Sequence, residues 1–320
     1  MKRFSIIIPH YNIPELLVRA LKSVPSREDV QIIIVDDCTP NFDTILSVFP
    51  DLRRPDIEFY KTPKGGSAGR ARNIGIKHAM GKWLIFLDAD DLLSERAFQI
   101  MDGHYNDDVD VIYFKSKVVM SNDLSKVSCR YDSNKMINYA LKTGDDVSIR
   151  FFTPEPWGKM IRTSIVKDNN LKYSETRYCN DAYFATLLGL AANKVSICDE
   201  IFYILTEREG SLASSQFGKK KPSKQEITER YIEPYRCFKL MQKHGINEFA
   251  NVFDYVDRRG SKFFYQDQRK FWIIFFALTK YSLFDAMALL IVALGRPFSK
   301  IYRIISGRQS SYKKDRFSIE

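Results

Sequence analysis

Residues 84–91 read Leu84-Ile85-Phe86-Leu87-Asp88-Ala89-Asp90-Asp91, four large apolar side chains running straight into three carboxylates. An apolar run this short, closed by charged residues, is the pattern of a strand buried on both faces. Similar β-branched or aromatic runs stand at 4–8, 31–35, 57–61 and 110–114, which makes 83–87 one of five predicted strands. Between them the spacing predicts helices over 14–24, 68–80 and 95–105, with Pro14 suited to a first helical turn and Ser94 a candidate N-cap. Strands alternating with helices imply an α/β fold with a mostly parallel, Rossmann-like sheet covered on both faces. Ligands bind such sheets beyond the carboxyl ends of the strands. That is where the carboxylates stand.

The rest of the composition narrows the class. The chain has 320 residues, 45% of them hydrophobic and 28% charged, with a formal net charge of +10. That composition is globular, and the length suits one large or two ordinary domains. The five cysteines (Cys38, Cys129, Cys179, Cys198, Cys237) are dispersed and odd in number, which argues against a disulfide framework and a Cys-based zinc site. The four histidines are scattered too, so no His-pair metal motif exists. Lys2-Arg3 leads directly into the first strand, an apolar run too short for a signal-peptide core. A cytoplasmic location is expected.

Three segments converge on strand ends. In Asp88-Ala89-Asp90-Asp91 the carboxylates repel one another unless water, basic groups or a cation neutralise them, and hard cations such as Mg²⁺ or Mn²⁺ take such oxygen ligands together with phosphates. The plain alternative is a solvated acidic turn, but the position after a buried strand favours a ligand role. Gly65-Gly66-Ser67-Ala68-Gly69-Arg70-Ala71-Arg72-Asn73 matches neither common nucleotide fingerprint, yet a glycine-rich helix start with two arginines suits an anion. A loop into a surface helix reads equally well there. Asp36-Asp37 after the second strand is either an acidic turn or a carboxylate for a nucleobase or ribose.

Taken together, Pro9-His10-Tyr11-Asn12, Val35-Asp36-Asp37, Gly66 to Asn73 with Gly75, and Phe86-Leu87-Asp88-Ala89-Asp90-Asp91 resemble the family 2 glycosyltransferases with a GT-A fold. Order and spacing match over about the first 115 residues. The likeness continues more loosely through Trp157-Gly158-Lys159, Asn180-Asp181 and Glu209-Gly210-Ser211-Leu212.

The resemblance implies a GT-A catalytic domain over 1–215, with a nucleotide-binding half to about 115 and an acceptor half over 116–215. It assigns Asp37, with Pro9 and Tyr11, to the base of a sugar nucleotide, usually uracil, and Gly66 and Arg72 to the nucleotide or donor sugar. Asp88 and Asp90 would be the DxD pair, Asp90 holding Mg²⁺ or Mn²⁺ on the diphosphate and Asp88 near the ribose or metal. Trp157 and Lys159 match a pattern of Trp followed closely by Lys, a sugar-facing ring and a phosphate partner, although a core Trp beside a surface Lys is the simpler reading for Trp157. Arg208 could reach the diphosphate, but solvated loop charge is the preferred reading. Asp181 would take the proton from the acceptor hydroxyl. Family members usually carry Glu-Asp there; this chain carries Asn180-Asp181. The implied activity is inverting transfer of a sugar from a nucleoside diphosphate, with UDP favoured, to a glycan or lipid-linked hydroxyl in surface-polysaccharide synthesis. The rivals are a non-catalytic sugar-nucleotide-binding or membrane scaffold subunit and a nucleotidyltransferase.

Residues 216–320 form a predicted helical C-terminal region, entered through the linker-like Lys219-Lys220-Lys221-Pro222-Ser223-Lys224. Its apolar segment 271–295 is long enough to cross a bilayer. Lys280 and Asp285 lie near its centre, however, where each costs about 3 kcal/mol, so spanning is marginal. Seven basic residues against Asp315 and Glu320 follow in 296–320. Apolar, aromatic-rich helix flanked by basic tail suits an anchor on the anionic inner leaflet, with a buried hairpin as the alternative. No recognition motif accompanies the charge, so nucleic acid is discounted.

Overall fold

A computed structural model describes residues 1–128, 134–208, 222–246 and 268–293. By the clustering of its contacts the chain falls into two compact units, Met1–Lys220 and Lys221–Glu320.

The first unit is built on one nine-stranded sheet of order β3-β2-β1-β4-β8-β6-β9-β5, with β7 paired to the far end of β6. Strands β1 (Phe4–His10), β2 (Val30–Asp36), β3 (Ile57–Lys61) and β4 (Trp83–Phe86) pair in parallel and in register, with Phe4 opposite both Val30 and Trp83. They are joined by α1 (Pro14–Lys22), α2 (Phe42–Val48) and α3 (Ala68–His78). β1, β2 and β4 are buried at every position, as the unbroken apolar runs required. Alternate side chains feed two cores: Ile6 and Ile8 pack with Leu17 and Leu21 of α1, whereas Ile7 and Ile33 pack with Ala71 and Ile76 of α3.

Beyond β4 the sheet is mixed. β5 (Leu92–Leu93) is followed by α4 (Ala97–His104), β6 (Val111–Met120) and β7 (Asp123–Val127). Then come α5 (Lys135–Thr143), α6 (Asp146–Phe152), β8 (Lys159–Arg162), α7 (Thr163–Asp168), α8 (Asn180–Ala191) and β9 (Val195–Glu207). β8 runs antiparallel to both β4 and β6, and β9 runs parallel to β6. Strand β6 is ten residues long, twice the predicted run, because it pairs with β9 from Val111 to Met120 while its second half carries the polar Lys115, Ser116 and Lys117. Ser94 is not the cap of α4: its hydroxyl donates to the Ile201 carbonyl at 2.7 Å, and the helix starts after Arg96 without a side-chain cap. The β5–β9 pairing claims the serine.

The second unit contains α9 (Lys224–Lys243), α10 (Gln268–Thr279) and α11 (Leu283–Ala293). Ser223 caps α9 by accepting from Glu226 N–H at 3.0 Å. The predicted apolar segment is broken into two short helices. Asp285, 3% exposed, accepts from the Tyr235 hydroxyl at 2.9 Å and pairs with Lys239 at 2.8 Å. A carboxylate paired and hydrogen-bonded inside a helical bundle avoids the insertion cost that made a span marginal. No helix among the described residues is long and apolar enough to cross a membrane. The Glu209–Leu212 motif, the basic linker up to Lys221 and the tail beyond 293 lie outside the described residues.

Candidate active site

The first acidic turn closes on backbone. Asp37, at the end of β2, is buried, and its carboxylate accepts from Gly66 N–H at 2.7 Å, Ser67 N–H at 2.8 Å and the Thr62 hydroxyl at 2.8 Å. It thereby ties the end of β2 to the glycine loop. Gly66 makes this possible with φ +98, a conformation that strains any other residue. Ser67 then caps α3, its hydroxyl accepting from Arg70 N–H at 3.2 Å.

Asp36 is held the same way, by Thr39 N–H at 2.8 Å and by His10 Nδ1 at 2.9 Å. The other ring nitrogen of His10 accepts from Ile13 N–H at 3.2 Å, so the proton is on Nδ1, facing the carboxylate. Burial pushes the Asp36 carboxyl up, but these donors outweigh it and hold it below its ordinary value. Pro9 lies inside β1 opposite Val35, and Tyr11 stands on the following loop with 55% exposure.

The second acidic turn closes on arginines. Asp88 accepts from Arg72 Nη2 at 2.6 Å, and Asp90 accepts from Arg208 Nε at 2.8 Å. The Asp90 carbonyl takes Arg19 Nη2 and the Thr206 hydroxyl, both at 2.6 Å. Asp91 is buried and accepts from the Tyr203 hydroxyl at 2.9 Å and Thr206 N–H at 2.6 Å. Burial and the neighbouring carboxylates push Asp91 well above the usual range. Asp90 is raised by burial and by Asp88, with Arg208 pulling against them. The side chains of Asp88 and Asp90 stay 27% and 23% exposed, and Asp88 Oδ2 and Asp90 Oδ1 carry no hydrogen bond among the described residues.

Arg72 joins this turn to α8. Its Nη1 donates to Asn180 Oδ1 at 3.0 Å, and its guanidinium lies over Tyr173 at 5.3 Å. Burial alone would lower its basicity, but the charges of Asp88 and Asp181 raise it. Close approach of the helices depends on Gly69, where a Cβ would stand 2.1 Å from the Ser174 carbonyl oxygen. Asp181 follows Asn180 in the first turn of α8, and its charge acts on Arg72, Lys159 and Tyr173.

Two further predicted residues make contacts of their own. Lys159 is buried, and its ammonium donates to the carbonyls of Thr153 and Glu155, fastening the Pro-containing loop from inside. Burial lowers its pKa to about 8, against the pull of Glu155 and Asp181. Trp157 stacks on Tyr203 with ring centroids 5.2 Å apart and an interplanar angle of 13°, beneath the second acidic turn.

Arg208 is not solvated loop charge but the partner of Asp90. Arg19, Thr206 and Tyr203 carried no signal in the sequence, and Asp91 was read there only as the fourth residue of the acidic turn.

Comparison with known proteins agrees with this geometry. Residues 5–167 match the model of Glycosyl transferase family 2, about half of the chain, and the chain belongs to that family. The poly(ribitol-phosphate) β-N-acetylglucosaminyltransferase TarS of Staphylococcus aureus is 26% identical over 234 residues, which cover 68% of this chain and 38% of TarS. The glycosyltransferase EpsJ of Bacillus subtilis is 26% identical over 243 residues, 73% of this chain and 69% of EpsJ. The crystal structure of TarS 1–349 in complex with UDP-GlcNAc superposes with a TM-score of 0.67 over 93% of this chain and 83% of that one, at 21% identity. That likeness establishes the GT-A fold. The chain thus spans about two fifths of the length of TarS.

Proposed function

We propose that the chain is an inverting glycosyltransferase that moves a sugar from a nucleoside diphosphate, UDP in preference, to a hydroxyl of a surface-polysaccharide acceptor. The observation that carries this reading is the bridge made by one buried guanidinium. Arg72 holds the DxD carboxylate Asp88 with one nitrogen and the residue before Asp181 with another. Family membership and the polymer acceptors in the names of relatives support the class of reaction.

In this reading Asp181 accepts the proton of the acceptor hydroxyl. The oxygen attacks the anomeric carbon as the bond to the diphosphate breaks, and the electron pair leaves with the phosphate. One in-line displacement inverts the anomeric centre. Arg72 and Arg208, already placed beside Asp88 and Asp90, are the cations available to oppose charge gathering on the leaving group. Asp37 with the glycine loop around Gly66, and Pro9 with Tyr11, would frame the nucleotide, while Trp157 would support the turn through Tyr203.

A divalent cation fits this turn. Asp88 and Asp90 offer hard, partly exposed oxygens, each with one not yet hydrogen-bonded, and both are the residues that would hold Mg²⁺ or Mn²⁺. No cluster of three protein ligands exists among the described residues, so substrate oxygens would complete the coordination. Such an ion would supply charge stabilisation to the diphosphate.

The helical unit is assigned to a membrane surface facing the cytoplasm. Its supports are the exposed Trp272, Phe276, Tyr281, Leu283, Phe284 and Met287 around Lys280, an aromatic and basic face suited to a lipid headgroup layer. Sedimentation with anionic vesicles should carry the protein down, and Trp272→Ala with Phe276→Ala should leave more of it in solution. Equal sedimentation of the double variant would remove the helices from the assignment.

Calorimetry with UDP and other nucleoside diphosphates, with and without Mn²⁺, tests the site. One nucleotide should bind, more tightly with the metal. Asp181→Asn should keep that binding while release of nucleoside diphosphate in the presence of acceptor falls by about 10²–10⁴. Undiminished turnover in that variant would sink the assignment of the base.

A further inference from the structure

Asn180 stands where the family pattern carries Glu, and its neighbours decide which way its amide faces. Arg72 has only N–H groups to offer, so the Asn180 atom 3.0 Å from Arg72 Nη1 is the carbonyl oxygen Oδ1. The amide nitrogen Nδ2 is then turned the other way, and no described residue accepts a hydrogen bond from it. It is not sealed in protein either: the buried, unpartnered side-chain atoms are Arg19 Nε, Arg72 Nε, Arg150 Nε, Tyr173 Oη and Tyr231 Oη, and Nδ2 is not among them. On the other flank the helix start is closed by Gly69, where even a Cβ would come within 3.0 Å of Asn180 Cβ. The result is an oriented N–H donor, open to solvent. It stands one guanidinium away from Asp88 and one residue from Asp181.

Charge points the same way. A carboxylate at 180 would share Arg72 with Asp88, whereas the neutral amide gives Arg72 its second hydrogen bond without a second negative charge. A Glu at this place can only accept, so it favours a sugar hydroxyl that donates to it and repels an oxygen that cannot.

We propose that Asn180 is a specificity-determining residue for the donor sugar. Its Nδ2–H groups bind an oxygen that only accepts, the carbonyl of an acetamido group or the carboxylate of a uronic acid. The proposal deepens, and rests on, the proposed role of these residues as a nucleotide-sugar site.

The test measures affinities for UDP, UDP-glucose, UDP-GlcNAc and UDP-glucuronic acid on the wild type, Asn180→Asp and Asn180→Ala. Asn180→Asp keeps the size and the oxygen that Arg72 holds but can no longer donate; Asn180→Ala removes the donor without adding charge, together with the oxygen that Arg72 holds, so the effect the two variants share is the loss of the donor. The wild type should bind one of the two carbonyl-bearing sugars roughly tenfold more tightly than UDP-glucose, the worth of about one good hydrogen bond in such a site. Both variants should lose most of that preference while UDP itself stays within about twofold. UDP-GlcNAc and UDP-glucuronic acid, compared side by side, say which oxygen is recognised.

Equal binding of UDP-glucose by the wild type, or a preference that survives both substitutions, overturns the assignment and leaves the site reading standing. Loss of UDP affinity in both variants also overturns it, because Asn180 would then serve the whole site. If the wild type binds none of the four ligands, the nucleotide-sugar reading falls and the assignment falls with it.

Discussion

The two acidic turns follow neighbouring parts of one parallel sheet, yet they are neutralised by different means. After β2, Asp36 and Asp37 are held by dipoles: the N–H groups of Thr39, Gly66 and Ser67, the Thr62 hydroxyl and the His10 ring. After β4, Asp88 and Asp90 are held by whole charges, Arg72 and Arg208. Backbone donors cannot leave, so the first turn is fixed geometry that shapes the glycine loop. In the proposed function the arginine side chains would yield to another cation or follow a phosphate, which would make the second turn the exchangeable one. Two buried cations divide likewise. Lys159, held by two carbonyls, loses basicity through burial, while Arg72, paired with Asp88 and under the charge of Asp181, gains it.

This contrast can be broken by substitution. Asp90→Ala should lower kcat by about 10²–10³ and leave the thermal midpoint unchanged or raised, since it removes one of three crowded carboxylates. A large loss of stability there would make the second turn scaffolding like the first.

Lys159 is expected to show the next largest effect, in its pH dependence. Its pKa falls from 10.5 to about 8 on folding, so between those values the unfolded chain holds a proton that the folded protein has released. The stability of the wild type relative to Lys159→Met should therefore rise with pH across that window, by at most about 3 kcal/mol. Urea unfolding at pH 8 and pH 10 reads it. A difference that stays flat would mean that the amine is solvated.

Asp37→Ala is expected to cost about 2 kcal/mol, because three donors, two of them on the glycine loop, lose their acceptor together. Its urea midpoint should drop. An unchanged midpoint with weakened nucleotide binding would move Asp37 from loop support to direct recognition.

Much of the first half was legible because local patterns coincide with local structure. The runs at 31–35 and 83–87 are buried at every position and became β2 and β4 with shifts of one or two residues. The loop at 65–69 announced a close approach, and Gly65 and Gly69 have it. The second half was read as irregular since β9 alternates exposed, intermediate and buried positions and draws its partner β6 from far upstream. In the apolar segment 271–295 the sequence showed Asp285 only as a charge that makes spanning costly, not what it pairs with. Its partners Tyr235 and Lys239 lie about two helical segments earlier in the chain.

The sequence by itself determined which strand ends carry acid, that a glycine loop opens α3, and that Asp181 begins a helix, since each depends on residues a few positions apart. Only the tertiary structure decided how those acids are neutralised. Asp90 met Arg208 across 118 positions and Arg72 met Asn180 across 108. Such pairings depend on the order in which the strands assemble, and a carboxylate's nearest cation is a property of that assembly rather than of the turn that bears it.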